Sequence, residues 1–187
     1  LYDIGKSYYY LRNFNESIDY LSKCIDLGCN DFAYFYRARS YQNLINLKKI
    51  EEGLQVNDWK KFQQLFPENP YGNYGLGRVL TSSIDKIKYL EKAVEYELKS
   101  ETSPNMFFFP RSNINGNIFL DEELLLTSAC YYLALEYNFT ENHEKAIEII
   151  DKGIKKNPDD EQGFINKFEF ITGTYRNKSN TLKSQEN

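Results

Sequence analysis

An all-α fold, a right-handed α-solenoid of about four helix pairs closed by a C-terminal capping helix, is what this sequence predicts, on three observations. Residues 1–29 and 130–158 share one spacing: Leu1, Ile4, Gly5, Tyr8, Phe14, Ser17, Leu21, Cys24 and Cys29 match Cys130, Leu133, Ala134, Tyr137, His143, Ala146, Ile150, Gly153 and Pro158. Apolar residues recur at helical intervals, as at Ile18, Leu21 and Ile25 and at Ala146, Ile147, Ile150 and Ile154. Such stripes are too narrow to be stable until neighbours bury them. Few segments alternate with period two, so an extensive sheet is not expected.

The first pair covers about residues 1–30, with Asn15 ahead of an apolar run as a helix start. The second covers 31–69. Ala38 and Tyr41 repeat Gly5 and Tyr8, and Trp59, Phe62 and Pro67 close the pair; Phe62 falls late by five residues, which places a small insertion near Asn46 to Gly53. The third, 70–98, opens at Pro70. Leu76, Gly77 and Leu80 fit, but Ala93 follows Gly77 by sixteen residues where nineteen separate Gly5 from Cys24, so its turn is predicted three residues short.

From 99 to 120 the pattern breaks, and this stretch reads as an irregular insertion. Asn115-Gly116 can turn a short hairpin within it, and Asp121 reads as the cap of the next helix. Phe107, Phe108 and Phe109 either tuck back over the third pair or form a partner-binding loop. The fourth pair covers 121–158, with Asn142 starting its second helix and Pro158 stopping it. Phe164, Phe168 and Ile171 predict a capping helix over 160–174, and the polar residues 175–187 read as a flexible tail.

The spacing of these small, aromatic and proline slots resembles the tetratricopeptide repeat, a helix-turn-helix unit of about 34 residues that stacks into a solenoid. The resemblance is fullest in the first and fourth pairs. It implies a protein-interaction module in which the first helix of each pair lines a concave surface. On that surface would lie Tyr2, Lys6, Tyr9, Phe35, Arg39, Gln42, Tyr74, Arg78, Tyr131, Leu135 and Asn138.

The residues themselves point the same way. An aromatic residue is followed four positions later by a basic one at Tyr2 and Lys6, Phe35 and Arg39, and Tyr74 and Arg78, with Tyr131 and Leu135 as the fourth member. Four residues make about one helical turn, so each pair shares a face. Flat rings and cations on one face suit a peptide, and an acidic one above all. The aromatics can equally pack between neighbouring first helices. The family's clamp for chaperone carboxylates carries lysine where this chain has aromatics and asparagine where it has Lys6, Arg39 and Arg78, so a different peptide is implied. The alternative is a structural subunit with its aromatic surfaces buried against a constant partner.

Composition narrows the remaining classes. The 187 residues are 41% apolar and 27% charged, which describes a folded chain, and the net charge of −4 argues against nucleic-acid binding. No stretch approaches the roughly 20 apolar residues that span a bilayer, so no membrane insertion is expected. Cys24, Cys29 and Cys130 contain no CxxC pair. They predict a reducing, cytoplasmic setting rather than a disulfide framework, with Cys24 a buried, inert thiol in the small slot of a second helix. The chain opens on Leu1 rather than Met, which reads as a beginning cut short and leaves an upstream targeting signal open.

Catalysis is not expected. His143 is the chain's one histidine and has no neighbouring cysteine, so neither a metal site nor a nucleophilic dyad is indicated. Gly72, Gly75 and Gly77 follow no strand and precede no Lys-Ser or Lys-Thr, unlike a phosphate cradle. We expect no enzyme activity, no cofactor and no metal, and a protein or peptide partner.

Overall fold

A Cβ placed on Gly5 would stand 2.6 Å from Leu21 Cγ, and one on Gly77 would stand 2.5 Å from Leu90 Cγ. Two helices therefore meet backbone to side chain at the same point of two different pairs. The structure, a computed structural model, describes residues 1–47, 53–100, 106–112 and 118–160, with the backbone alone of 106–112 and 118–123. The predicted capping helix and tail lie outside the described residues.

Eight α-helices appear among them: α1 Tyr2–Tyr10, α2 Phe14–Asp26, α3 Phe32–Asn46, α4 Val56–Leu65, α5 Pro70–Val79, α6 Ser83–Lys99, α7 Leu125–Phe139 and α8 His143–Lys156. They pack as pairs, and the second helix of each pair also lies on the first helix of the next, α2 on α3, α4 on α5 and α6 on α7. The architecture is the all-α helical repeat that the spacing predicts.

The core runs along this stack. Ala38, Trp59, Phe62 and Leu76 join the second pair to the third, and Leu90, Val94, Leu126, Leu133 and Ile150 join the third to the fourth. The helix ends follow local chemistry. Pro70 occupies the first turn of α5, where a missing N–H costs nothing, and the Asn69 side chain accepts from Tyr71 N. Pro67 follows the end of α4 and Pro158 the end of α8.

The turns within the first and fourth pairs share one backbone motif. Arg12 and Glu141 are left-handed at φ 65° and 60°. Asn13 N donates to Tyr8 O at 2.9 Å, and Asn142 N to Tyr137 O at 2.8 Å. In the third pair the three missing residues come out of the helix rather than the turn: α5 ends two residues after Gly77, whereas α1 runs five beyond Gly5. The connection 80–82 is as long as 11–13, so the predicted short turn is instead a short helix.

Two further expectations are corrected. The insertion is a hairpin: β1 Met106–Ser112 pairs antiparallel with β2 Ile118–Leu124, from Met106 opposite Leu124 to Ser112 opposite Ile118. Asn115-Gly116 falls in its connection, outside the described residues. Asp121 is a strand residue opposite Phe109, so α7 starts at Leu125 without it.

The second correction concerns Cys24. Gly28, at φ 63°, ends α2 in a Schellman turn, with Cys29 N donating to Cys24 O at 2.9 Å and Gly28 N to Ile25 O at 3.0 Å. This turn ordinarily brings two apolar side chains together across the glycine. Here both are cysteines, with Cα atoms 5.2 Å apart, and they are joined as a disulfide. Cys130 alone is a free, buried thiol, its pKa pushed up by burial.

Gly5→Leu should cost about 1–3 kcal/mol by crowding the α1–α2 contact, read as a lowered thermal midpoint; full stability would contradict the register. Cys29→Ser should cost about 2 kcal/mol, the chain-entropy value for so short a loop, measurable by denaturant titration of oxidised protein.

Candidate partner-binding face

Helix α1 lies beside α3, and α5 beside α7. Two cavities open along α3, one walled also by α1, α4 and α5 and the other by α4 and α5. The larger, about 220 Å³, is walled by the rings of Tyr9, Tyr10, Phe35, Tyr36 and Tyr71, with Arg39 at its end. The smaller, about 20 Å³, lies between Arg39, Gln42, Asn43, Trp59, Tyr74 and Arg78. Arg39 belongs to both. The smaller has room for about one water molecule and the larger for a bulky side chain.

Tyr36 organises the first wall, and the sequence reading missed it. Its ring meets Tyr2, Tyr9 and Tyr10 edge-on at centroid distances of 6.0, 5.4 and 6.1 Å, and Phe35 at 5.0 Å. Edge-to-face contacts of this kind suit the ring quadrupole. Lys6 Nζ sits 5.5 Å from the centre of the Tyr36 ring. Tyr2 and Lys6 therefore join the face through Tyr36 rather than by lining a cavity. Burial, reinforced by the hydrogen bond with Tyr10, pushes the Tyr36 pKa up, so its phenol stays neutral.

Both predicted arginines are held by tyrosine hydroxyls. Arg39 Nη2 donates to Tyr9 Oη at 2.9 Å, across helices, and Arg78 Nη1 to Tyr74 Oη at 2.9 Å, within one. The Arg78 guanidinium also lies 3.7 Å from the centre of the Tyr132 ring. Among the described residues no carboxylate forms an ion pair with Arg78. A guanidinium carries five N–H donors, and stacking on a ring leaves its edge available for an anion.

Polar groups complete the smaller cavity. Gln42 Nε2 donates to Asn46 Oδ1 at 3.0 Å, and Gln42 Oε1 accepts from Gln55 Nε2 at 3.4 Å. Asn43 Nδ2 is buried without a hydrogen-bond partner. An unmatched buried donor of this kind costs on the order of 1–3 kcal/mol until a water or ligand oxygen meets it.

Tyr9 and Tyr74 line the cavities but are only 4% and 2% exposed; their rings are mostly core and their hydroxyls hold the arginines, which is the packing alternative. The remaining predicted residues lie apart. Tyr131 is half-buried edge-on to Tyr132 at 5.0 Å. Asn138 lies at the end of α7, where its carbonyl accepts from Glu141 N, and Leu135 packs on the C-terminal core. None of these three lines either cavity. Strand β1, which carries Phe107, Phe108 and Phe109, runs close to α3 of the second pair; their side chains lie outside the description.

The rigidity of α3 has a source that the periodicity hides. Arg37 Nε and Nη2 donate to Asp58 Oδ2 and Oδ1 at 2.8 and 2.7 Å, and Nη1 to Ser22 Oγ at 2.9 Å. One guanidinium thus ties α2, α3 and α4. The signal was present: Arg37 stands in the slot that Ile4 and Leu133 fill with aliphatic side chains, and a charge in an apolar slot calls for a partner.

No protein-family model and no curated protein matches the sequence. Solved structures do share its fold. Two crystal structures of MamA superpose with a TM-score of 0.65 each. One, 20% identical, aligns 94% of this chain with 85% of its own; the other, 21% identical, aligns 95% with 80%. At this identity the likeness shows the fold, an all-α helical repeat. Among the described residues no helix is long and apolar enough to cross a membrane, and no group of three His, Cys, Asp or Glu could hold a metal ion.

Burial, with Glu97 nearby, raises the Tyr71 pKa to about 12. The folded chain then holds the phenolic proton after the unfolded chain releases it near pH 10, so stability falls as pH rises from about 10 towards 12. Tyr71→Phe should flatten that part of the decline in thermal midpoint.

Proposed function

We propose that the chain is a protein-interaction scaffold of the tetratricopeptide type, and that its first helices capture an extended acidic peptide or partner segment. One observation carries this reading: Arg39 and Arg78, from different helix pairs, open on the same cavity beside the unmatched Asn43 donor. A carboxylate at the mouth of that cavity would accept from the Arg78 guanidinium edge, while an apolar side chain of the same segment entered the ring-walled cavity. Both walls are preformed, so little ordering entropy opposes capture. The mechanism is binding alone.

The structural-subunit reading also has an observation in its favour. Leu1, Ile4 and Leu11 expose apolar surface on α1, at 43%, 46% and 68%, where a constant partner could cover it. The two readings concern different faces of the molecule and are separable by mutation.

An array of acidic peptides probed with the wild-type chain and with an Arg39→Gln, Arg78→Gln variant tests the groove. The expected result is a set of peptides bound by wild type and weakened at least tenfold in the variant, with helical content unchanged by circular dichroism. Equal binding by both would overturn the groove.

A further inference from the structure

The hairpin takes no part in the helical repeat, yet its composition matches what the groove requires. Its register sets Phe107 opposite Glu123, Phe108 opposite Glu122 and Phe109 opposite Asp121. Three aromatic residues of β1 thus stand against three acidic residues of β2 in one ribbon. The groove calls for that combination. The rings of Tyr9, Tyr10, Phe35, Tyr36 and Tyr71 wall one cavity, and Arg39 and Arg78 open on the other. Lys6 Nζ, 5.5 Å from the centre of the Tyr36 ring, adds a third cation to the same face. Carboxylates are the natural partners of such cations.

The topology brings hairpin and groove together. Strand β2 runs directly into α7, whose Leu125 and Leu126, 0% and 2% exposed, fix that end of the hairpin in the C-terminal core. Helix α7 lies beside α5, the helix of Arg78. Strand β1 nevertheless runs close to α3, a helix of the second pair, which supplies Phe35, Tyr36 and Arg39 to the cavities. A strand of 7 residues is about 20 Å long, and two steps between packed helices cover about the same distance. The ribbon is therefore long enough to pass from α7 across α5 to α3. We propose that the β1–β2 hairpin is the groove's own occupant in the free chain, and that the partner is a segment of the same aromatic and acidic chemistry that displaces it. The inference rests on the reading of the first helices as a capture face. It adds the partner's composition, aromatic residues beside carboxylates, and a means of regulation. A tethered occupant acts at an effective concentration on the order of millimolar, so an external segment binds more weakly in proportion to the time the groove is filled.

Trypsin gives a readout that needs no external ligand, because Arg111 lies within β1. The whole chain is compared with an Asp121→Asn, Glu122→Gln, Glu123→Gln variant and with the Arg39→Gln, Arg78→Gln variant. Cleavage after Arg111 under native conditions is followed by mass spectrometry, and none of these substitutions creates a trypsin site. The proposal expects slow cleavage in wild type and at least fivefold faster cleavage in both variants, with helical content unchanged by circular dichroism. Added salt, which screens the contact, should speed cleavage of the wild-type chain in the same direction. Cleavage as fast in wild type as in either variant overturns the proposal, whatever the peptide array shows. On the array, the hairpin variant should bind peptides that combine aromatic and acidic residues at least tenfold more tightly than wild type, and equal binding of them by both chains overturns self-occupancy. Protection of Arg111 that both variants lose, with no peptide bound on the array, supports the hairpin as occupant and overturns external capture instead.

Discussion

Everything in this molecule depends on how closely two helices of one pair can approach. At Gly5 and Gly77 the distance left for a side chain is below 3 Å, and the space is taken by Leu21 and Leu90. That contact sets the angle and depth of each pair, and the pair in turn fixes which stripe is left for the next helix. A larger residue at either glycine pushes the helices apart and moves the neighbouring stripe out of reach, because close-packed interiors transmit displacement rather than absorb it. The same device operates between pairs, where a Cβ on Gly75 would stand 2.3 Å from Trp59 Cδ2.

Polar contacts then decide what the stacked helices present. Arg37 spends its donors inward on Asp58 and Ser22, and Ser17 meets Ser40 at 2.9 Å across α2 and α3. Arg39, two positions on, faces the other way towards Tyr9. Successive basic residues on one helix thus divide the work: one locks three helices together and the other reaches the cavities. Tyr36, immediately before Arg37, collects Tyr2, Tyr9, Tyr10 and Phe35 around one ring. The scaffold and the candidate face are built from adjacent residues of α3.

Chemistry at the pair boundaries follows the same economy. The Schellman turn after α2 needs glycine at its left-handed residue and contact between the flanking side chains; two cysteines meet that need covalently. The long connection between α6 and α7 leaves the helical pattern. Its two strands satisfy each other's backbone groups in an antiparallel ladder between Met106–Ser112 and Ile118–Leu124.

By itself the sequence determined the helical repeat, because a period shared between residues 1–29 and 130–158 is a property of spacing and every copy must bury the same stripe. It also determined that the third pair is three residues short, though not that α5 rather than the turn had lost them, and that Arg39 and Arg78 share a type of position. Only the tertiary structure decided the rest. Whether a tyrosine is wall or core depends on what packs beside it, so Tyr9 and Tyr74 went inside while Tyr36, unmarked by any motif, became the centre of the face. Which side chains converge depends on the stacking of separate pairs, and this brought Asn43 and Trp59 to the arginines. Cys24 and Cys29 met because a left-handed glycine folded the chain between them, and Asp121 entered a strand because a partner strand lay opposite. Each is a long-range or conformational event that periodicity along one chain does not encode.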